Sequence, residues 1–145
     1  MATLIDAGDR VFLDTSYAVA LAVRNDALHA QARLLRAELQ LAKARFITTR
    51  AVLLEIGNAL SALQHRAGTG KLLSALEHDR RMAIMPLNEE LYRKALDLFG
   101  SRLDQEWGLV DCASFVVMQE AGIRKALTAD HHFQQAGFEV LLAHD

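Results

Sequence analysis

Five short, mostly apolar runs, separated by longer stretches with helical features, limit most strongly how this chain can fold. The runs cover residues 11–14, 46–49, 82–85, 125–128 and 138–142. Such runs are typical of strands buried on both faces, and strands that alternate with helices favour a parallel sheet covered by helices on both sides. We therefore predict an α/β fold, with one five-stranded parallel sheet in a single domain.

The segments between the runs carry helix signals. The predicted helices cover residues 17–23, 26–44, 51–64, 71–78, 88–99 and 111–122, with a short turn after Asp130. The second helix has Leu28, Leu35 and Leu39 on its buried face, and the third has Val52, Ile56, Ala59, Leu60 and Leu63 on its inner side. Gly68 and Gly70 are predicted to break the chain, and Gly100 to end a helix. Residues 1–10 show no pattern and are taken as a loose lead-in to a domain of residues 11–145.

Length and composition bound the class of protein. A chain of 145 residues with 52% hydrophobic and 23% charged residues has the makeup of one globular domain. Its single cysteine fits a reducing compartment, and no stretch approaches the roughly 18 apolar residues of a membrane span, so we expect a cytoplasmic protein. The net charge of −2 counts mildly against a nucleic-acid substrate without excluding one.

Four acidic residues are expected to meet at one edge of the sheet. Asp14 ends the first strand and Asp130 follows the fourth, while Glu55 and Asp111 fall in the early turns of two helices. A helix that connects parallel strands begins at the edge where the strands end, so topology sends all four carboxylates there. The helix from Asp111 is apolar on nearly every side, and a carboxylate in such a place needs a cation or hydrogen-bond donors.

Each of these acids also has a simpler interpretation. Asp14, Asp111 and Asp130 could each cap a helix, and Glu55 could lie on a solvated helix side. The convergence of all four at one edge is harder to explain in that way than the position of any one of them alone. We therefore predict that they form a catalytic site.

A cluster of bare carboxylates favours a divalent metal ion. Carboxylates about 5 Å apart repel each other by roughly 3 kcal/mol per pair at an effective dielectric constant of 20. The cluster must therefore take up protons or bind a cation. Oxygen ligands suit Mg²⁺ or Mn²⁺, and an ion held in this way activates water and neutralises charge on a phosphoryl group. This is the chemistry of a metal-dependent nuclease.

Further polar residues could support such a site. Thr15 and Ser114 could hydrogen-bond a ligating carboxylate, although helix capping explains Thr15 equally well. Arg24 and Arg50 are expected near the acidic edge and are the best candidates for RNA phosphate contacts. The weaker candidates are Lys71, Arg80 and Arg81.

Other conspicuous residues favour ordinary structural roles. Asp104 is expected in a solvated loop, Cys112 as a small buried hydrophobe, and Trp107 packed under the Asp111 helix, with base stacking as its alternative. His131 and His132 suggest zinc, but adjacent histidines in a short turn cannot easily share one ion. Surface exposure is expected for at least one of them.

Rival functions are weighed against the same residues. A haloacid-dehalogenase-like phosphatase needs a second aspartate two residues after the first, where Ser16 stands. A receiver domain needs an aspartate at the end of its third strand, where Met85 and Pro86 stand. A catalytically silent binding protein of the same fold would have no need for four repelling carboxylates. These comparisons favour the nuclease.

The ordered motifs resemble the PIN-domain ribonucleases, and in particular their VapC-like toxin branch. The likeness extends from Val11 to Leu142. Its most specific parts are the motifs Phe12-Leu13-Asp14-Thr15-Ser16, Asp104-Gln105-Glu106-Trp107-Gly108-Leu109-Val110-Asp111-Cys112-Ala113-Ser114-Phe115 and Thr128-Ala129-Asp130-His131-His132-Phe133, with Glu55 at the place of the family's helix glutamate. The ten-residue lead-in is longer than is usual in the toxin branch.

The resemblance implies a fold, a site and partners. It implies strand order 3-2-1-4-5, a Mg²⁺ or Mn²⁺ ion held by Asp14 and Asp111, and an acidic site completed by Glu55 and Asp130. It also implies cleavage of single-stranded RNA, a homodimer and, for toxin members, a tightly bound antitoxin. A PIN-fold nuclease acting in RNA processing, outside toxin–antitoxin systems, is the alternative.

Overall fold

A computed structural model of the protein describes residues 4–143, which form five strands and seven helices. The strands are β1 (Arg10–Leu13), β2 (Arg45–Thr49), β3 (Met82–Met85), β4 (Lys125–Leu127) and β5 (Glu139–Val140). The helices are α1 (Thr15–Ala22), α2 (His29–Leu41), α3 (Arg50–Ala59), α4 (Leu63–His78), α5 (Glu89–Ser101), α6 (Leu109–Ala121) and α7 (His131–Gln135).

The five strands form one parallel sheet in the order β3-β2-β1-β4-β5, so the predicted fold class and strand order are confirmed. β1 lies at the centre, where the sheet continues through β2 on one side and through β4 on the other. Its register with β4 pairs Leu13 with Leu127, which places Asp14 beside Thr128 at the carboxyl edge.

Two apolar cores cover the two faces of the sheet, because successive side chains of a strand point to opposite faces. Phe12 belongs to one core, which also holds the inner side of α3 and most of α6. Val11 and Leu13 belong to the other, together with Leu35 and Leu39 of α2. The buried face predicted for the second helix is confirmed. Helices on both faces leave the carboxyl edge of the strands as the natural place for polar side chains.

The helix boundaries differ from the prediction between residues 59 and 101. α3 ends at Ala59, and α4 runs without interruption from Leu63 through Gly68 and Gly70 to His78. The predicted break at the two glycines is therefore wrong, and Leu63, predicted on an inner face, is 91% exposed. α5 also continues through Gly100 to Ser101. Packing of Leu72, Leu73 and Leu76 of α4 against the cores outweighs the glycine penalty.

We expect Gly68→Ala and Gly70→Ala each to raise the free energy of unfolding by about 0.5–1 kcal/mol, since glycine costs a helix interior that much relative to alanine. Both residues are exposed, and a Cβ at either position would meet no other atom within 4 Å. Urea unfolding of the single variants measures the effect. Gly122→Ala is the control, because its φ of 68° ends α6 in the left-handed region, and that change should destabilise. Loss of stability in both α4 variants would contradict the uninterrupted helix.

The described part of the lead-in is mostly exposed, but it is tied to the domain at Leu4, Ile5 and Asp9. Ile5 is buried in the same core as Val11. Lys125 of β4 donates from Nζ to Asp9 Oδ2 at 2.5 Å and to the carbonyl oxygen of Leu4 at 3.0 Å. The predicted lead-in and domain also include residues 1–3 and 144–145, which lie outside the described part. Within residues 4–143, none of the helices combines the length and apolar character needed to span a membrane.

Candidate active site

Four elements bring the predicted carboxylates together at the carboxyl edge of the sheet. Asp14 follows β1, Glu55 lies in the second turn of α3, Asp111 in the first turn of α6, and Asp130 precedes α7. The charges of Asp111 and Glu55 act on Asp14, and the charge of Asp130 acts on both Asp111 and Glu55. The four carboxylates thus lie at the same edge of the sheet, as the topology predicted, and their catalytic role stays a prediction.

Asp14 is held by a chain of hydroxyl groups. Although it precedes α1, its side chain makes no capping hydrogen bond to that helix. Thr128 Oγ1 donates to Asp14 Oδ2 at 2.7 Å. Because a threonine hydroxyl carries one proton, Ser16 Oγ must donate across its 3.0 Å contact with Thr128 Oγ1. Ser16 Oγ in turn accepts the backbone N–H of Ala129 at 3.0 Å. The simple capping role weighed for Asp14 is therefore wrong.

Glu55 faces the cluster from the second turn of α3. It is half-buried, and Thr15 Oγ1 donates to its Oε1 at 3.0 Å. Thr15 is the first residue of α1, so this bond joins α1 to α3 across the edge of the sheet. The partner of Thr15 is therefore a carboxylate of the cluster, and its side chain is not used for capping.

Asp111 and Asp130 meet at the ring of His132. Asp111 Oδ2 accepts the backbone N–H of Gly108 at 3.1 Å and lies 3.2 Å from His132 Nδ1. Asp130 Oδ1 accepts the backbone N–H of His132 at 2.9 Å and lies 3.4 Å from the same Nδ1. Asp130 therefore does cap α7, but this role leaves its charge within reach of Asp111 and Glu55.

Burial and mutual repulsion make these carboxylates harder to ionise. Burial raises the pKa of Asp14 to about 6, and the charges of Asp111 and Glu55 add to the rise while the Thr128 hydroxyl opposes it. Burial also raises the pKa of Asp111, with a further contribution from the charge of Asp130. The pKa of Glu55 is raised by burial and by the charges of Asp111 and Asp130. A cation at this position would remove much of that cost.

The donor set fits a divalent metal ion. Within residues 4–143, no lysine or arginine pairs with Asp14, Glu55, Asp111 or Asp130, whose polar contacts are with hydroxyl, backbone N–H and imidazole groups. Clustered carboxylates without a cationic side chain are the oxygen ligands that Mg²⁺ and Mn²⁺ prefer. Within residues 4–143, the ligand atoms that lie within 4.8 Å of one another and could share one ion belong to Asp130, His131 and His132, at the α7 end of the site.

Some predicted residues are not brought to the cluster. Ser114 is fully buried in α6, and its Oγ donates to the carbonyl oxygen of Val110 at 3.1 Å. Arg24 lies beyond the far end of α1, about 12 Å from Asp14 along a helix of eight residues. Arg50 begins α3 at the acidic edge, but its guanidinium pairs with Glu77 of α4. Ser114 and Arg24 therefore contact none of the four acids.

The structural roles expected for three other residues are confirmed. Asp104 is exposed and accepts two hydrogen bonds of 3.0 Å from Arg102. Cys112 is fully buried. Trp107 packs edge-on against Phe115, with ring centroids 5.1 Å apart, and its Nε1 donates to Gln135 Oε1 at 3.2 Å. The buried indole is thus a packing residue under α6.

Three polar side chains of the site were missed as functional residues. Ser16 and Thr128 both belong to quoted motifs, and the parallel pairing of β1 with β4 was the signal that could have placed Thr128 beside Asp14. His132 was set aside with its neighbour, although only His131 is largely exposed, at 71% against 21% for the His132 side chain. The position of Phe133, a buried residue directly after His132, was the available signal that this turn is tied to the core.

The fold and its acidic edge define a PIN domain. A model of the PIN domain family matches residues 11–139, which include all four carboxylates. The chain belongs to the PIN domain family. Nucleases of this family generally use a divalent metal ion, which agrees with the character of the acidic cluster.

Individual relatives place the chain close to VapC toxins. It is 28% identical over 130 residues to the 23S rRNA-specific endonuclease VapC20 of Mycobacterium tuberculosis, covering 88% of this chain and 95% of that protein. The crystal structure of that VapC20, described as a sarcin–ricin loop cleaving toxin, matches with a TM-score of 0.77 and 26% identity, over 88% of this chain and 95% of that one.

Two more distant structures share the fold alone. VapBC2 from Rickettsia felis, bound to a DNA fragment from their promoter, matches with a TM-score of 0.64 and 13% identity, over 90% of this chain and 96% of that one. FitAcB from Neisseria gonorrhoeae matches with a TM-score of 0.60 and 16% identity, over 90% of this chain and 95% of that one.

Proposed function

We propose that this protein is a metal-dependent endoribonuclease and the toxin of a type II toxin–antitoxin pair, acting in the cytoplasm. The observation that carries the proposal is the meeting of four carboxylates, three of them with raised pKa values, at one edge of the sheet. The chain is similar to a 23S rRNA-specific endonuclease over nearly the whole length of that relative. This similarity supports RNA as the substrate, and ribosomal RNA is the first RNA to test.

In this proposal, the residues of the cluster have different roles in holding the metal ion and activating water. Asp14 and Asp111 would hold a Mg²⁺ or Mn²⁺ ion, which supplies positive charge beside the scissile phosphate and favours ionisation of water. Thr128 keeps one oxygen of Asp14 fixed through its hydroxyl. Glu55, whose carboxylate is held by Thr15, and Asp130 would position the metal or the attacking water, and one of the two would accept the proton of that water.

Contacts to the RNA backbone are proposed for Arg24 and Arg50. Arg24 shares a surface recess with Arg33 and Arg36, and none of these three pairs with an acid within residues 4–143. Arg50 lies at the acidic edge itself. Its guanidinium would break its ion pair with Glu77 and bind an RNA phosphate in its place. Such contacts make RNA affinity fall with salt, with a slope of roughly 0.7 per phosphate neutralised on a single strand.

The test is to incubate the purified, metal-stripped protein with 23S rRNA and with total RNA, adding Mn²⁺ or Mg²⁺, and to map the new 5′ and 3′ ends. We expect cleavage at a small number of sites, dependent on the added ion and stopped by a chelator. Cleavage that proceeds equally well with excess chelator would contradict the metal-dependent mechanism, and the absence of any cleavage would favour a silent binding protein of the same fold.

An antitoxin partner is part of the proposal. A cavity of about 570 Å³ opens between α1, α2 and α4, with mainly apolar walls that include Leu21, Leu72 and Leu76. A groove of this kind suits the apolar face of a helix or extended segment from a second protein. We propose that the antitoxin docks there, beside α1, the helix that directly follows Asp14.

The proposed homodimer has a surface of its own on α5. Tyr92, Leu96 and Phe99 are exposed and lie at i, i+4 and i+7, so they form one exposed stripe beside the buried Leu91 and Ala95. An exposed apolar stripe of this kind is typical of a contact with another protein surface.

We expect the double variant Tyr92→Ser/Phe99→Ser to shift the protein from dimer to monomer, since removal of the two rings leaves little apolar surface to bury. Light scattering coupled to size-exclusion chromatography measures the mass. Leu41→Ser, at an even more exposed apolar residue on α2, is the control and should leave the dimer intact. A wild-type protein that is monomeric across the accessible concentration range would contradict the proposal.

A further inference from the structure

We propose that His132 supplies a nitrogen ligand to the acidic site and so makes the site prefer first-row transition ions such as Co²⁺ or Zn²⁺ over Mg²⁺. This inference rests on the proposed function in one respect, namely that the acidic cluster holds a divalent ion. It does not depend on which RNA is cut, or on whether any RNA is cut.

The position of the His132 ring is the first argument. Its Nδ1 lies 3.2 Å from Asp111 Oδ2 and 3.4 Å from Asp130 Oδ1, so one ring nitrogen faces two carboxylates from different elements. Two ligands of one ion, each about 2.1 Å from it, stand at most roughly 4.2 Å apart. The separations at His132 fall within that limit, and the side chain is 21% exposed, so an ion could reach it while solvent is largely excluded.

The backbone of His132 is fixed on both sides. Its N–H donates to Asp130 Oδ1 at 2.9 Å. The next residue, Phe133, is fully buried, with its ring centroid 4.9 Å from that of Phe115 and 6.2 Å from that of Phe12. The backbone that carries the His132 ring is therefore held in place before any ion arrives, which lowers the cost of ordering this side chain around an ion.

His131 offers a natural comparison, because it has the same side chain one position earlier. Its Nδ1 stands 3.7 Å from Asp130 Oδ1, and its side chain is 71% exposed. No hydrogen bond or ion pair links it to Asp111 within the described residues. His132 is therefore the less exposed of the two histidines and contacts two acids of the cluster, whereas His131 contacts Asp130 alone.

Ligand chemistry gives the direction of the preference. Mg²⁺ demands oxygen ligands in near-octahedral geometry and keeps several of its waters. Imidazole suits the later first-row ions, and the affinity of a mixed nitrogen and oxygen site rises from Mn²⁺ towards Cu²⁺. A site with only carboxylates would show little of this rise in affinity along the first-row series. The imidazole of His132 is therefore the group that sets the ratio of the Co²⁺ affinity to the Mg²⁺ affinity.

The experiment measures binding and not cleavage. Protein made without a polyhistidine tag is stripped of metal and titrated with Co²⁺ by calorimetry and by its visible absorption, and with Mg²⁺ in competition. We expect His132→Gln to weaken Co²⁺ binding by ten- to a hundredfold and to alter the visible Co²⁺ bands, while Mg²⁺ affinity changes less than about threefold. The control is His78→Gln, at an exposed histidine of α4 whose Nδ1 lies 2.8 Å from the carbonyl oxygen of Ser74, and it should leave both affinities close to those of the wild type.

The other outcomes separate this inference from the proposed function. Equal weakening of Co²⁺ and Mg²⁺ in His132→Gln would mean that the ring only positions Asp111, and no weakening would mean that it is not a ligand; either result overturns the inference. A wild-type protein that binds neither ion overturns both the inference and the metal-dependent function. Selective loss of Co²⁺ without any RNA cleavage by the wild type supports the inference and removes the proposed function alone.

Discussion

Asp14→Asn or Asp111→Asn is expected to lower the rate of divalent-dependent RNA cleavage by about a hundred- to a thousandfold or more, the range seen when a single charge-stabilising group is lost from an active site. Asparagine keeps the shape of aspartate but removes the charge that would hold the ion. Asp14 makes no capping side-chain hydrogen bond to α1, and the side chain that donates to it within residues 4–143 is Thr128.

Single-turnover cleavage of the mapped RNA, at several Mn²⁺ concentrations, measures this loss. Asp104→Asn is the matched control, since Asp104 is exposed in a loop and paired with Arg102, and it should cleave at the wild-type rate. Circular dichroism of each variant shows whether the fold is kept. If both Asp14→Asn and Asp111→Asn retained wild-type cleavage, the acidic cluster would not be the catalytic site.

The second large effect is a gain of stability in the same Asp14→Asn variant. In the folded protein the pKa of Asp14 is raised from 3.8 to about 6, mainly by burial. A carboxyl group that binds its proton more tightly when folded contributes stability below the unfolded pKa, and this contribution is lost as the pH rises through the folded pKa. Two pKa units correspond to about 3 kcal/mol. Metal-free protein should therefore lose up to about that much between pH 4 and pH 6.

Asparagine at position 14 cannot ionise and so avoids the loss. We expect Asp14→Asn and the wild type to differ little in unfolding free energy near pH 4, and the variant to be more stable by about 2–3 kcal/mol at pH 7 in the presence of a chelator. Urea unfolding of both proteins over this pH range measures the difference, and the comparison cancels the titration of groups that do not interact with Asp14. Addition of Mn²⁺ should restore the wild type and leave the variant unchanged.

An outcome that would count against this reasoning is a variant less stable than the wild type at pH 7 without metal. It would mean that the charge of Asp14 is already compensated within the folded protein. Asp104→Asn again serves as the control, since an exposed carboxylate beside Arg102 should show no gain that grows with pH.

The sheet and the meeting of the four acids were predictable because both follow from topology. Strands that alternate with helices specify a parallel sheet, and its carboxyl edge then receives Asp14, Asp130 and the first turns of α3 and α6. No contact energy was needed for that inference. It required only the positions of the strand ends and of the helix starts.

The details that were missed depend on tertiary contacts. The glycines at 68 and 70 favour a break by about 1 kcal/mol each, but the leucines that follow in α4 pack against the cores and keep the helix whole. The direction of the His132 ring depends on a five-residue helix anchored by Phe133, and so short an element has no periodicity to read. The sequence likewise gave no sign that Ser114 would bond to its own helix.

The hydrogen bond between Thr128 and Asp14 spans 114 positions of the chain. During synthesis, Asp14 therefore leaves the ribosome long before the Thr128 hydroxyl that will hold it. β1 cannot form its pairing with β4 until β4 has also been made. A growing chain cannot assemble the complete set of carboxylates until its fourth strand has been made and has docked.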